Sequence, residues 1–217
     1  MRGYTPRPRK ICIQPTVKEK LQHWLFTNRS YTPIPFLILL LIIGRPTWTW
    51  VWVGLAMLIA GELIRIYSVG YAGLETRATS DVGAPRLVTA GPYGHVRNPL
   101  YVGNILMYTG IGVMGGIWWL PLLGLLWFGF QYYMIVEREQ SFLRREFGAE
   151  YQTYCEHVPA FFPRITPWRG GLNAVTLDVP MALRSEKRSF QSLSISAALV
   201  IASGFIKGSL CLCAFRS

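Results

Sequence analysis

The feature that most constrains this chain is the length of its apolar runs. The clearest run covers residues 48–67, which carry no charged side chain before Glu62. A helix needs about 20 predominantly apolar residues to cross the hydrocarbon core of a bilayer. Further apolar runs begin near residues 31, 99, 117 and 193. The pattern therefore predicts an all-α, multi-pass transmembrane bundle of about five spans.

The composition supports this fold class. Hydrophobic residues make up 51% of the chain and charged residues only 15%, a low charged share for a soluble protein. Turn signals at residues 44–47 and at Gly115-Gly116 arrange the first four spans as two antiparallel hairpins. Gly103, Gly110, Gly112 and Gly116 allow close contact between helices, and the last two have the small-residue packing spacing, so we expect these glycines to serve packing.

The net charge of +11 is unevenly distributed along the chain. Of the 22 Lys and Arg residues, 18 lie before Ser30, within residues 68–98 or within residues 137–191. With spans that start as above, these three segments share one side of the membrane, as cytoplasmic loops do. Anionic lipid explains this charge better than nucleic acid does. We therefore predict an integral membrane protein with cytoplasmic basic segments and no nucleic-acid partner.

Three parts follow from this pattern. Residues 1–30 are predicted to be a loose, basic cytoplasmic arm, although its apolar residues are also compatible with an interfacial helix (Leu21, Trp24, Leu25 and Phe26). Residues 31–171 form the membrane domain. Residues 172–217 supply a polar linker over 172–191 and a final span over 193–213.

Metal-binding chemistry has little support in the sequence. The four Cys and three His residues are scattered and form neither a Cys-x-x-Cys pair nor a disulfide framework. We therefore expect no metal site.

The start of the third span has the sequence of a helix N-terminus. Gly91-Pro92 is a turn signal, and Asn98-Pro99 combines a good N-cap with a proline suited to the first helical position. Free backbone N–H groups at such a start favour an anionic or polar ligand group. The alternative is a plain interfacial cap, with Arg97 extending to the membrane surface.

Two further polar features lie at the ends of spans. Glu62 and Arg65, three residues apart, can pair on one helix face, either to serve function or to fix the depth of the helix. In the charged helix predicted over residues 137–156, Glu139 and Gln140 point towards the protein. An inward carboxylate needs a partner, and a bound cation would serve.

Residues 91–103, GPYGHVRNPLYVG, resemble the signature of the isoprenylcysteine carboxyl methyltransferase and phospholipid methyltransferase family. A second block over residues 137–164 is also similar to that family, so the resemblance covers about residues 48–168. It implies a membrane-embedded enzyme that transfers the methyl group of S-adenosylmethionine to an amphiphilic acceptor in the bilayer. The family's usual His is Asn98 here.

The resemblance also implies site residues. The family's cofactor positions match a set in the loop, the helix start and the charged helix: Pro85, Arg86, Leu87, Val88, Tyr93, Asn98, Pro99, Leu100, Tyr101 and Glu139. Catalytic roles stay unassigned, with Asn98, Tyr101 and His95 as candidates. His95 is equally compatible with a surface or capping role. Asn98 can hydrogen-bond but cannot titrate near neutral pH.

The acceptor is less constrained. Prenylcysteine enzymes place a substrate-binding Arg four residues before the Glu, where this chain has Ile135, and Gln140 replaces a second Glu of phospholipid methyltransferases. Lipid amines and other small amphiphiles therefore remain open. The sequence does not indicate an oligomeric state.

A non-catalytic multi-pass binding or transport protein is the alternative class. Against it, the 68–98 loop and the charged helix form a cytoplasmic constellation that simple transport does not need. The sequence also shows no obvious internal repeat, which many transporters have.

We expect loop 85–93 and the helix start at 98–101 to pack against the first turn of the 137–156 helix.

Overall fold

The computed structural model describes residues 16–73, 86–170 and 176–209. Over these residues the protein is all-helical, which confirms the predicted fold class. The helices are α1 (Val17–Thr27), α2 (Pro33–Ile43), α3 (Trp48–Ala72), α4 (Pro99–Met114), α5 (Trp119–His157) and α6 (Val179–Ile206). A short 3₁₀ helix, Gly91–Gly94, precedes α4.

Five of these helices correspond to the predicted spans. Among the described residues, α3, α5 and α6 are long and apolar enough to cross a membrane. Helices α2 and α4 are also apolar but shorter, at 11 and 16 residues. At 1.5 Å per residue, α2 covers only about 17 Å, so it reaches through part of a bilayer core of about 30 Å. These helices make the protein an integral membrane protein.

Helices α3 and α4 pack closely because glycines face each other across the contact. A Cβ atom at Gly61 would lie 2.7 Å from the carbonyl oxygen of Gly103, and one at Gly54 would lie 2.5 Å from that of Gly110. No larger residue fits at these distances. The predicted use of glycine for helix packing is therefore confirmed.

Aromatic side chains join α2, α4 and α5 in the core. Phe128 of α5 is fully buried. The ring of Tyr108 stacks on it at a centroid distance of 4.2 Å, and the ring of Phe36 meets it edge-on at 5.6 Å. These contacts hold the two hairpins together.

The first helix corrects the expectation of a loose arm. Residues 17–27 form α1, which begins with a reciprocal capping box between Thr16 and Glu19. Leu25 and Phe26 are buried in the main core, because their apolar side chains face the bundle once the helix forms. The interfacial-helix alternative therefore describes residues 17–27 better. Residues 1–15 lie outside the described residues.

The last helix corrects the predicted linker. Helix α6 begins at Val179, well before residue 193, and Asp178 caps it by accepting a hydrogen bond from the Met181 N–H at 2.9 Å. The polar residues that suggested a linker include Glu186, whose buried carboxylate pairs with Arg65 of α3. The charge of Glu186 therefore meets a partner inside the bundle. Residues 171–175 and 210–213 lie outside the described residues.

Helix α5 joins two predicted elements into one. The expected span over residues 117–136 and the charged helix over 137–156 form a single helix with one break at Gly148. Gly148 has φ 48° and ψ −119°, a conformation that glycine adopts without steric cost. The break redirects the last turns of α5 towards the segment that precedes α4.

Candidate active site

The candidate site contains a direct contact between α4 and α5. The Tyr101 hydroxyl donates a hydrogen bond to Glu139 Oε1 at 2.7 Å, and both residues are partly buried. They lie at the same end of the bundle, which we call the site end. The predicted contact between the start of α4 and the first turn of the 137–156 segment is therefore confirmed.

Aromatic packing fixes the position of Tyr101. Its ring lies against the ring of Tyr132 at a centroid distance of 4.9 Å, and Tyr132 is almost completely buried. Tyr132 sits about two helical turns before Glu139 on α5. The Tyr101 hydroxyl is thus held from one side by α5 while it donates to a carboxylate of the same helix.

Two arginine side chains act on Glu139 through their charge. The guanidinium carbon of Arg29 lies 4.4 Å from the centroid of the Phe26 ring, and that of Arg138 lies 5.1 Å from it. Both guanidinium groups are close enough to act electrostatically on the Glu139 carboxylate. The bound cation that the sequence suggested as the partner of Glu139 stays a prediction.

Helix α1 forms one wall next to Glu139. Glu137 accepts hydrogen bonds from Lys18 Nζ at 2.5 Å and from Gln22 Nε2 at 3.0 Å. His23 contacts Arg138 at 3.2 Å. These contacts dock α1 within two residues of the candidate carboxylate, which sequence reasoning missed because no local pattern pairs residues so far apart in the chain.

Asn98 begins α4, but its side chain does not cap the helix. The Asn98 Nδ2 donates to the carbonyl oxygen of Ala160 at 2.9 Å, and no side-chain cap bond is formed. The backbone oxygen of Asn98 accepts from the N–H groups of Tyr101 and Val102. The Asn98 side chain therefore does not cap α4 as the sequence suggested, and it joins α4 to the segment after α5 instead. Direct contact between Asn98 and the methyl donor stays a prediction.

The loop before α4 packs on the last turns of α5. Leu87 is buried in a small cluster with Tyr151, Tyr154 and Val158. The Tyr154 hydroxyl donates to the carbonyl oxygen of Tyr93 at 2.7 Å. We expected this loop to pack on the first turn of the 137–156 segment. It packs instead on the turns after the Gly148 break, because the break directs those turns towards the loop.

Tyr93 itself faces the interior. Burial raises the pKa of the Tyr93 phenol, and the nearby Glu139 charge acts in the same direction. Removal from water disfavours the phenolate. The Tyr93 side chain is therefore neutral throughout the physiological range and can only donate or accept hydrogen bonds.

Backbone hydrogen bonds join the segment after α5 to the loop before α4. Backbone N–H groups of Arg97, Arg164 and Trp168 donate to the carbonyl oxygens of Pro159, His95 and Gly94, at 2.9, 3.0 and 2.9 Å. The His95 ring nitrogen Nδ1 lies 2.8 Å from the Arg164 carbonyl oxygen. This contact gives His95 a structural role and leaves its catalytic candidacy a prediction.

A cleft of about 310 Å³ opens beside this tied segment. Tyr67, His95, Trp168 and Arg169 supply its aromatic and cationic lining, together with Pro167 and residues 89–91. Neither Tyr101 nor Glu139 lines it. The cleft adjoins the predicted cofactor loop through residues 89–91.

The predicted cofactor residues are brought to the site end with differing exposure. Leu87, Tyr93 and Pro99 are buried, Val88, Asn98, Leu100, Tyr101 and Glu139 are partly buried, and Arg86 is exposed. Pro85 lies outside the described residues. Within the described parts of the chain, no group of three or more His, Cys, Asp or Glu residues could hold a metal ion.

Comparison with known proteins shows what the central part of the chain is similar to. Residues 49–150, which contain α3, α4 and most of α5, match the phospholipid methyltransferase family. Plant isoprenylcysteine methyltransferases also align with the chain. This region is therefore similar to the phospholipid methyltransferase and isoprenylcysteine methyltransferase family, in agreement with the resemblance of the sequence blocks.

Particular relatives carry different names. The nickel-cobalt-cadmium resistance protein NccN of Alcaligenes xylosoxydans xylosoxydans is 32% identical over 137 residues, 63% of each chain. The cobalt-zinc-cadmium resistance protein CzcN of Cupriavidus metallidurans is 32% identical over 140 residues, again 63% of each chain. A probable protein-S-isoprenylcysteine O-methyltransferase of Oryza sativa is 32% identical over 123 residues, 54% of this chain and 63% of that protein.

The chain thus spans less than two thirds of the length of these curated relatives. No solved structure matches it.

Proposed function

We propose that this protein is an integral membrane methyltransferase that transfers the methyl group of S-adenosylmethionine to an amphiphilic acceptor held in the bilayer. The observation that carries the proposal is the Tyr101–Glu139 hydrogen bond at the end of an apolar bundle. It joins the two sequence blocks that resemble the family. The match of residues 49–150 to that family supports the same chemistry.

The residues at the site end fit a cationic donor. When bound, S-adenosylmethionine supplies a methyl group on a sulfonium, which passes to a nucleophile while the electrons of the broken C–S bond return to sulfur. Glu139 offers a carboxylate to the positive part of the donor, and the Tyr101 hydroxyl holds that carboxylate in place. Arg29 and Arg138 provide charge of the opposite sign for an anionic group of the donor or acceptor.

Transfer of this kind depends on positioning and on the exclusion of water. The segment after α5, the loop before α4 and the docked helix α1 all pack near the helix ends that carry the site. Their positions let a water-soluble donor approach from outside the membrane and an amphiphile approach from between the helices. The predicted positive charge of the surrounding segments would place this end in the cytoplasm.

The acceptor is proposed to be a lipid amine or another small amphiphile. Ile135, at the position where prenylcysteine enzymes place an Arg, is fully buried in the apolar core. A prenylcysteine carboxylate would therefore find no cation there. The resistance proteins among the relatives are named for metals, and their names do not specify an acceptor.

Donor binding by the detergent-purified protein tests the proposal first. Isothermal titration with S-adenosylmethionine should give saturable binding, and titration with ATP, which shares the adenosine but lacks the sulfonium, should give much weaker binding. Absence of donor binding by folded protein would favour the alternative, a multi-pass binding or transport protein without chemistry.

A further inference from the structure

A cluster of buried charge joins α6 to α3 and α4. Arg65 Nη2 donates to both carboxylate oxygens of Glu186, at 2.8 and 3.0 Å. Arg65 Nη1 donates to Asn104 Oδ1 at 2.5 Å. The Glu186 side chain is fully buried and that of Arg65 is 13% exposed. A lone charge in such surroundings is unfavourable, so the cluster requires all three helices in place.

Asn104 connects this cluster to the candidate site. Asn104 lies about one helical turn after Tyr101 on α4. The Tyr132 ring packs against that of Tyr101 at 4.9 Å, and the Tyr101 hydroxyl donates to Glu139 at 2.7 Å. A series of contacts through Arg65, Asn104 and the first turns of α4 therefore links Glu186 to the Tyr101 hydroxyl, which holds the Glu139 carboxylate.

We propose that Glu186 is a positioning residue, which acts through this series of contacts on the Tyr101 hydroxyl. It holds the Arg65 guanidinium in one orientation, and Arg65 in turn fixes the amide of Asn104. Asn104 then fixes the turn of α4 that carries Tyr101. Glu186 lies in α6, outside the residues that match the family, so this inference gives the last helix a part in the site.

The chain offers a matched control on the same helix. Lys207 also anchors α6, because its Nζ donates to the carbonyl oxygens of Leu41, Ile42 and Gly44 at 2.6, 3.0 and 2.8 Å. These carbonyl groups end α2 and have no contact with the charge cluster. Loss of Lys207 weakens the attachment of α6 but leaves the contact series intact.

The experiment places 3-fluorotyrosine at residue 101 of the full-length protein in detergent, without donor, and records the ¹⁹F resonance. Glu186→Gln should shift this resonance, and Lys207→Met should leave it in place. This readout needs no donor, so its result does not depend on the proposed function. The inference rests on the proposed function only in that it treats Tyr101 and Glu139 as parts of a donor site. In a second arm, Glu186→Gln should weaken S-adenosylmethionine binding about 2- to 30-fold, with Lys207→Met unchanged.

Asn104→Leu keeps the experiment decisive if Glu186→Gln does not fold, since it breaks the series at its middle and leaves the Arg65–Glu186 pair intact. It should shift the fluorine resonance in the same way. The inference is overturned if neither variant shifts the resonance, or if Lys207→Met shifts it equally. If the wild type binds no donor, the proposed function fails and the fluorine arm alone decides the positioning role.

Discussion

The hydrogen bond between Tyr101 and Glu139 makes a double-mutant cycle on donor binding the most informative perturbation of the site. Glu139→Gln replaces a partly buried carboxylate by a neutral amide of nearly the same shape. Loss of one partner of a charge contact of this kind weakens binding by about 2–3 kcal/mol, or roughly 30- to 150-fold in the dissociation constant. We expect that loss for S-adenosylmethionine.

Tyr101→Phe keeps the ring that packs on Tyr132 and removes only the hydroxyl donor. Because the hydroxyl acts by orienting the carboxylate, its removal should weaken donor binding by about tenfold or less. In the double variant there is no carboxylate left to orient. Its donor affinity should therefore lie within about twofold of that of Glu139→Gln alone.

Titration calorimetry on the four proteins measures the cycle, and thermal unfolding establishes that each is folded. Glu137→Gln is the control, since Glu137 lies on the same helix but bonds to Lys18 and Gln22 of α1. Its donor affinity should stay close to the wild-type value. Strictly additive losses in the double variant, or unchanged affinity of Glu139→Gln, would refute the reasoning.

Three stability predictions follow, each measured by thermal unfolding in detergent. Gly61→Ala should destabilise by about 1–3 kcal/mol because its Cβ meets the backbone of α4, whereas Gly129→Ala, with nothing within 4 Å, should be neutral or stabilising. Gly148→Ala should lose about 1–3 kcal/mol because an L-residue is strained at φ 48°; an unchanged melting temperature would mean that the break straightens readily. Asn98→Ala should lose about 1 kcal/mol with its hydrogen bond to Ala160, and Asn98→Ser, too short to reach, should not restore it.

The helices and the meeting of the two family blocks could be predicted from sequence for a physical reason. An apolar run fixes the depth of its ends in a bilayer, so polar residues at the ends of neighbouring spans share one level. Tyr101 and Glu139 are such residues, and they are in contact. The resemblance to a family then suggested which of these polar residues belong to a site.

Long-range pairing could not be predicted in this way. The sequence suggested Glu62 as the partner of Arg65, and those charges do lie 3.7 Å apart. The closer partner is Glu186, 121 residues later in the chain, in a stretch whose polarity favoured a linker. Periodicity reports which face of a helix is polar but not which distant residue meets it.

Backbone conformation was the other source of error. The sequence places a glycine at residue 148, but nothing local indicates a left-handed conformation there. That break carries Tyr151 and Tyr154 to Leu87, and so decides which turns of α5 support the loop.

The burial of Gln131 was not predicted from the sequence either. Gln131 is fully buried in α5, and its amide makes no hydrogen bond within the described part of the protein.

The most direct test of the account is methyl transfer itself. Purified wild-type protein, reconstituted in vesicles of extracted bacterial lipid, is incubated with S-adenosylmethionine labelled in its methyl group, and label in the separated lipid fraction is measured. The account predicts label in an amphiphilic lipid product from the wild type and from Glu137→Gln, and a strong loss from Glu139→Gln. Equal labelling by wild type and Glu139→Gln, or no labelling by a protein that binds the donor, would contradict it.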